Sequence, residues 1–375
     1  MKKPVYILAD SIVTPLGNTT EENMEKLYNL ECSIKSETHP QMGTVFASTF
    51  NPDKHFSIEN PSETFTKIER LFIYSIEQAI DSLNVPLEQS KVLFVFASTK
   101  GNIEFLSDPT FDSNRLRIGI MAKYIAAYFG NKNNSVVVSN ACISGLQAIQ
   151  YGCHALQSEK YSHVIVTGAD CVSEFVLSGF HSFHALSSFP STPFDKNRAG
   201  VSLGEGCGTL ILSCTPTTEN NIEIRSVVSS NDANHLSGPS RTGEGLASAI
   251  QGAMNDAQVD YKEIDVISAH GTATIYNDEM ESLAFKTTGV SNAPVYSIKG
   301  NLGHCLGASG IIETIVLANS MLADTLVPSI GFKETGTSVT LNVVTKSMHK
   351  HMRVGLKTAS GFGGGNTALI LKKQK

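Results

Sequence analysis

The chain carries one cysteine and two histidines in places where an α/β sheet presents reactive groups. Cys142 lies in VVVSNACISGLQAI, where an apolar strand runs into a short turn and a helix begins at or just after the cysteine. A thiol there feels the positive end of the helix dipole, which favours the thiolate and raises nucleophilicity. Ala141, Ser144 and Gly145 are small and leave room for a substrate. Read alone, Cys142 also fits a buried, inert side chain, the commonest state of a free cysteine. His270 ends the apolar run IDVISAH (264–270), so it is delivered at the carboxyl end of a strand, where open α/β sheets place ligands. A helix is expected to begin near Asn277 or Asp278, with Asp278 and Glu279 early in it. His304 lies in SIKGNLGHCLGASG, again just past a strand, with Lys299 five residues before it. Each histidine alone reads as a satisfied core or surface residue. Two at equivalent places, each followed by small residues, shift the balance toward a functional role.

Other chemistries fit less well. His181 and His184 are three apart and could share a helix face, but no third ligand of suitable spacing accompanies them, so no metal site is expected. GEGCG (204–208) and GFGGGN (361–366) precede strands, the wrong order for phosphate on a helix N-terminus. No nucleotide or other cofactor is expected. GFGGGN suits a close approach of backbone to substrate, with an N–H aimed at a developing oxyanion.

The elements that must hold these residues alternate. Short apolar, β-branched runs suggest strands over 5–9, 92–97, 136–138, 164–167, 209–212, 222–229, 264–268, 295–297, 341–343 and 367–371. Helical patterns occupy 20–30, 65–83, 118–129, 145–156, 243–257 and 311–322. Such alternation indicates α/β architecture, and near-continuous apolar strands indicate sheets covered on both faces. Each half has a strand, a loop bearing a candidate residue, a small-residue helix and a closing Gly-rich segment with a strand. A duplicated unit with its boundary near 216–221 is expected, residues 1–216 holding Cys142 and 217–375 both histidines. Segments 31–61 and 171–198 have weaker periodicity and are expected to cap a site.

Composition excludes several classes. The net charge is 29 − 35 = −6 with no long basic run, so nucleic acid and anionic membranes find no electrostatic footprint. Hydrophobic residues at 41% and charged residues at 17% are ordinary globular usage, not disorder or coiled coil. No apolar run approaches the ~20 residues of a membrane span. Asp10 ends the first apolar stretch before it reaches signal-peptide length. Seven cysteines without a CxxC pair suit a reducing compartment, so the cytoplasm is expected.

Taken together, the segments resemble the β-ketoacyl synthases of the thiolase-like superfamily. IVTPLGNTTEE (12–22) is similar to the opening strand and turn, NACISG (140–145) to the nucleophile motif, and PFDKNRAGVSLGEGCG (193–208) to the PFD-R-G-GEG segment. AHGTATIYND (269–278) resembles the first histidine motif, KGNLGHCLGASGIIE (299–313) the lysine and second histidine motif, and GFGGGN the closing loop. The resemblance implies a duplicated five-layer αβαβα fold and a Cys142–His270–His304 triad. It also implies supporting roles for Lys299, Glu313 and Asp278, an oxyanion site at the Cys142 and Phe362 amides, and gating by Phe362. It further implies decarboxylative Claisen condensation of an acyl thioester with a malonyl thioester, both carried on the phosphopantetheine of an acyl carrier protein. Fatty acid and specialised polyketide or polyene synthesis are both open. So are a homodimer and a heterodimer with a chain-length-factor-like subunit.

The chain departs from the family pattern in three ways. HGTAT stands where HGTGT is usual, NACISG where TACSSG is commoner, and the chain is short. These touch substrate size and partner choice more than reaction type. A thiolase would carry a second cysteine in the closing loop, where Ser360 stands, and an initiating synthase an Asn in place of one histidine. A non-self-sufficient subunit and a non-catalytic carrier-binding subunit are the remaining alternatives.

Overall fold

The computed structural model describes residues 3–51, 56–58, 65–81, 83, 85–87, 89–217, 221–232, 234 and 238–374. Parts of three expected features lie outside these residues: 52–55 and 59–61 of the first excursion, 82 and 218–220. One mixed sheet of eleven strands spans the molecule. Its strands are β1 (Val5–Val13), β2 (Val92–Ala97), β3 (Val136–Val138), β4 (His163–Asp170), β5 (Gly206–Ser213), β6 (Ile222–Asn231), β7 (Val266–Ser268), β8 (Pro294–Tyr296), β9 (Asn342–Val343), β10 (Val354–Gly361) and β11 (Gly365–Lys373). Their order is β9-β8-β7-β10-β11-β6-β1-β5-β4-β2-β3.

This order contains a repeat. From the middle outwards, β1 is antiparallel to β5, β5 to β4, and then β4, β2 and β3 run parallel. From β6 outwards, β11 and β10 are again antiparallel steps, and β10, β7 and β8 run parallel. The halves join where Val5–Ile7 pairs antiparallel with Ile222–Ile224.

The helices are α1 (Thr20–Tyr28), α2 (Lys67–Ile80), α3 (Ile118–Tyr128), α4 (Ser144–Gln157), α5 (Glu174–Ser182), α6 (Glu244–Ala257), α7 (Ile275–Thr287), α8 (Lys299–Leu302) and α9 (Ser309–Leu322). α4 and α9 pack together between the two halves of the sheet, in a core that includes Leu146, Ile149, Ile311 and Ile315. α2 and α3 cover the outer face of the first half through Phe72, Ile76 and Ile125, and α6 and α7 that of the second through Ile250 and Phe285. The result is five layers, αβαβα.

Local sequence explains most of the ends. β2 reads VLFVFA and is buried at every position, as a strand covered on both faces requires. α2 opens with a capping box between Thr66 and Glu69. α7 begins at Ile275, earlier than expected, because the Thr274 side chain caps it by accepting the Asn277 amide. Within the first excursion, Lys35–His39 and Gly43–Ser48 form a hairpin that periodicity does not reveal. β10 also escapes a sequence reading, since Gly355, Lys357 and Ser360 interrupt its apolar pattern, yet it is a central strand and Lys357 is fully buried.

Two glycines set how closely the middle helices meet. A Cβ on Gly145 would lie 2.8 Å from the Gly307 carbonyl oxygen and 2.9 Å from the Ile311 nitrogen. A Cβ on Gly310 would lie 2.7 Å from the Leu146 nitrogen. The segments that carry Cys142 and His304 therefore touch backbone to backbone. Gly145→Ala must push them apart, at a cost of about 1–3 kcal/mol typical of overpacking. Chemical denaturation should show the loss, and an unchanged midpoint would mean that this contact does not constrain the two helices.

Candidate active site

Cys142 sits in the turn between β3 and α4. Ala141 adopts φ +44°, the left-handed region, so the chain reverses sharply just before the cysteine. Ser144 Oγ accepts the Asn140 amide at 2.8 Å and donates to the Ala141 carbonyl at 2.6 Å, which braces the turn. Gly361 backs onto it, since a Cβ there would lie 3.2 Å from the Cys142 nitrogen.

His270 follows the end of β7. Its amide donates to Glu281 Oε1 at 2.9 Å, and the Gly271 amide to Glu281 Oε2 at 2.6 Å. Lys299 Nζ donates to the His270 carbonyl at 2.6 Å and lies 3.3 Å from His270 Nδ1. An ammonium has only donors, so Nδ1 is the acceptor and the imidazole proton is on Nε2. His304 lies beside Leu203, its amide donating to the Ser202 carbonyl at 2.8 Å. His304 Nδ1 is 2.9 Å from Ser309 Oγ, and its buried Nε2 has no hydrogen-bond partner among the described residues. The two imidazole rings are 5.2 Å apart and nearly perpendicular. One side-chain atom from each of Cys142, His270 and His304 lies within 4.8 Å of the other two.

Burial dominates the electrostatics. It pushes the Cys142 thiol up to about 12, against the lowering pull of Lys299, with Asp170 and Glu313 adding to the rise. The thiolate expected from the helix dipole is thus not the resting state, because desolvation outweighs a partial charge. Burial, then Lys299, His304 and Lys357, hold His270 well below the usual histidine range, and burial, Lys299 and Lys357 do the same to His304. Both imidazoles are neutral at pH 7. Behind them, Glu313 pairs with Lys299 and, at 2.7 Å, with Lys357. Cysteine and histidine also bind zinc, but the Lys299 ammonium beside His270 opposes a cation here. Among the described residues, His181 and His184 belong to no cluster of three ligating side chains.

A cavity of about 300 Å³ opens onto the cluster, lined in part by Cys142, His270, His304, Thr272, Thr274 and Phe362. Phe362 packs against Phe180 of α5 and the adjacent Phe183, with ring centres 5.6 and 5.3 Å away. The second excursion thus does cap the site. Asp278 does not line the cavity. It accepts the amides of Phe194 at 2.7 Å and Ala273 at 3.2 Å, tying the loop after His270 to the second excursion. Burial pushes its carboxyl up to about 7. Sequence reasoning missed Asp170, Glu281 and Lys357. Asp170 accepts Ser98 Oγ at 2.9 Å, the Thr99 amide at 3.0 Å and the Gly307 amide at 2.7 Å, joining the strand ends to the loop after His304. Its one signal is its place at the end of the apolar run VIVTGAD.

The profile of the β-ketoacyl synthase N-terminal domain matches residues 2–216, and that of the C-terminal domain residues 222–333. The chain belongs to the β-ketoacyl synthase family. It is 30% identical, over 67% of its length, to a putative polyketide β-ketoacyl synthase 1 of Streptomyces halstedii, of which the match spans 63%. It is 26% identical to the 3-oxoacyl-[acyl-carrier-protein] synthase 2 of Vibrio harveyi, over 99% of each chain. A ketosynthase solved in complex with its chain length factor, from Xenorhabdus doucetiae, has the same fold. It shows a TM-score of 0.89, 24% identity and coverage of 99% of this chain and 98% of that one. The duplicated αβαβα architecture is thus the thiolase-like fold of ketosynthases.

A buried neutral thiol makes a kinetic prediction. Alkylation of Cys142 by iodoacetamide, followed by peptide mass, should accelerate steadily from about pH 6 to about pH 9 as the thiolate fraction grows. Lys299→Met should slow it, because losing the ammonium raises the thiol further. A rate independent of pH over that range would show a thiolate already formed.

Proposed function

We propose that this member of the family is a decarboxylating condensing enzyme that joins an acyl group held on Cys142 to a malonyl thioester. The observation that carries this reading is the convergence of one thiol and two neutral imidazoles on one cavity, with a lysine fixing His270 as an Nε2–H donor.

Cys142 Sγ attacks the acyl thioester carbonyl, and its proton passes to a neighbouring imidazole, since the resting thiol is neutral. The backbone N–H groups of Cys142 and Phe362 receive the oxyanion. The carbon–sulfur bond to the carrier then breaks, and the carrier thiol leaves with that proton. A malonyl thioester follows into the same cavity and loses CO₂. The electron pair of the broken carbon–carbon bond moves into an enolate, whose oxygen accepts hydrogen bonds from His270 Nε2–H and His304 Nε2–H. Both donors must be neutral and need one N–H each, which the burial and the adjacent lysines favour. The carbanion attacks the acyl-Cys142 carbonyl and expels the thiolate, a β-ketoacyl thioester leaves, and the thiolate takes up one proton from solvent to restore the neutral thiol. Lys299 and Glu313 hold His270, Asp278 holds the loop behind it, and Phe362 gates access between Cys142 and the aromatic side chains of the cap.

The acyl and malonyl groups are taken to arrive on the phosphopantetheine of an acyl carrier protein, in the cytoplasm, with residues 1–216 and 217–375 as the two halves. No helix among the described residues is long and apolar enough to cross a membrane. β3 is one of the two edges of the large sheet and its three valines are only half-buried, which favours a second subunit, either another copy or a chain-length-factor-like partner. A non-catalytic carrier-binding subunit is disfavoured, because such a role does not need the thiol, both imidazoles and the lysine together.

Intact-mass measurement after incubation with a short acyl carrier protein thioester, then with malonyl carrier protein, tests the reading. The wild-type chain should gain one acyl group and discharge it as a β-keto product. Cys142→Ala should gain none and condense nothing. Acylation without condensation would point to a missing partner, and condensation by Cys142→Ala at the wild-type rate would remove the mechanism.

A further inference from the structure

Lys357 is a charged side chain in the middle of a central strand, buried to 0% exposure. An ammonium in such a place needs partners for all of its protons. Its Nζ donates to the carbonyl oxygens of Ser268 and Ala269 at 3.2 Å and of Thr358 at 2.6 Å, and it forms an ion pair, without hydrogen-bond alignment, with Glu313 Oε2 at 2.7 Å. Lys299 Nζ donates to the next carbonyl along, that of His270, and pairs with Glu313 Oε1. Three successive carbonyls at the end of β7 are thus held by two ammoniums, and one carboxylate on α9 bridges those ammoniums.

We propose that Lys357 is a positioning residue of the condensing site, closing with Lys299 and Glu313 a two-ammonium clamp on the backbone that presents His270. This role rests on the condensing reading above. The clamp fixes where the His270 ring emerges, and a misplacement of the order of 1 Å costs heavily in the chemical step while leaving binding of the remote substrate intact. The second ammonium also acts on the rings themselves. His270 is faced by Lys299 of α8, by the His304 ring and the Cys142 thiol, by Glu281 of α7 at its amide, and by Glu313 of α9 beyond Lys299. Lys357 adds positive charge to this set and helps to lower both histidines. Burial in turn pushes Lys357 down to about 8, so the clamp carries its charge at neutral pH.

The test uses the full chain, malonyl carrier protein and a short acyl carrier protein thioester, with intact mass for acylation and CO₂ release for decarboxylation. Lys357→Met should lower kcat for decarboxylation about tenfold with KM within about twofold. The acidic limb of its pH profile should move up, since removing positive charge raises the histidines. A role in folding alone would reduce the active fraction and leave the limb in place, and that result would overturn the proposal. So would wild-type kcat in Lys357→Met. A wild-type chain that neither acylates nor decarboxylates would instead overturn the condensing reading, and the role of Lys357 with it. Nitrogen NMR of the histidines in the wild-type chain gives a second measurement that needs no variant to fold. The His270 signals should sense the loss of the Lys357 proton, which burial brings below the ordinary lysine range, and the absence of any such step over the whole pH range in which the chain stays folded would also overturn the proposal.

Discussion

The site depends on charge that has been taken out of water. Glu313 projects from the middle layer, and both of its oxygens face lysines that are themselves fully buried. Breaking a buried pair by removing one partner costs about 3–5 kcal/mol, because the group left behind has no water to turn to. This makes the arrangement all-or-none. Glu313 needs both lysines, and each lysine needs the carbonyls at the end of β7. The geometry of His270 is therefore set by desolvation as much as by packing. Burial first, and then the two ammoniums, keep the two imidazoles in the one protonation state in which each offers an N–H without carrying charge.

The duplication explains how residues so distant in sequence meet. In each half the outermost of the corresponding parallel strands leads by a turn toward one of the two middle helices, β3 into α4 and β8 by way of α8 into α9. Cys142 leaves β3 of the first half, and His304 lies beyond β8, its counterpart in the repeated order. Backbone contact at Gly145, Gly307 and Gly310 then decides how near the two turns come. A side chain at Gly145 or Gly310 would push the segments that carry the thiol and the imidazole apart. Close approach of reactive groups here follows from the absence of side chains as well as from their presence.

These physical causes also explain what was legible in the sequence. Strands buried on both faces, such as VLFVFA, announce themselves as unbroken apolar runs, and the candidate residues at their ends could be read off with them. Cys142, His270, His304, Lys299 and Glu313 are all drawn into one buried cluster. β10 was invisible for the reason that makes it matter. It spends one of its core positions on Lys357, and the compensating carboxylate lies on another layer of the fold. Asp170 and Glu281 escaped notice similarly, since they hold backbone amides brought near only by the tertiary fold. Local pattern reports burial of apolar groups well, whereas burial of charge is decided by partners far away in the chain.

The same imbalance governs the nucleophile. A helix N-terminus contributes roughly half a positive charge to Cys142, and Lys299 adds a further attraction for the thiolate. Against them stand complete burial and the negative charge of Asp170 and Glu313. Desolvation wins, so the resting cysteine keeps its proton and the nucleophile is made only when a base is at hand. His304 Nε2, buried without a partner among the described residues, faces the same small cavity. A thiol held neutral until a substrate enters is protected from adventitious alkylation and oxidation, reactions that require the thiolate. The burial that slows the free cysteine also strengthens each hydrogen bond and charge around the reacting carbonyl. Low basicity of the imidazoles and low acidity of the thiol thus come from one cause, the closed middle layer, and the chemistry draws on both.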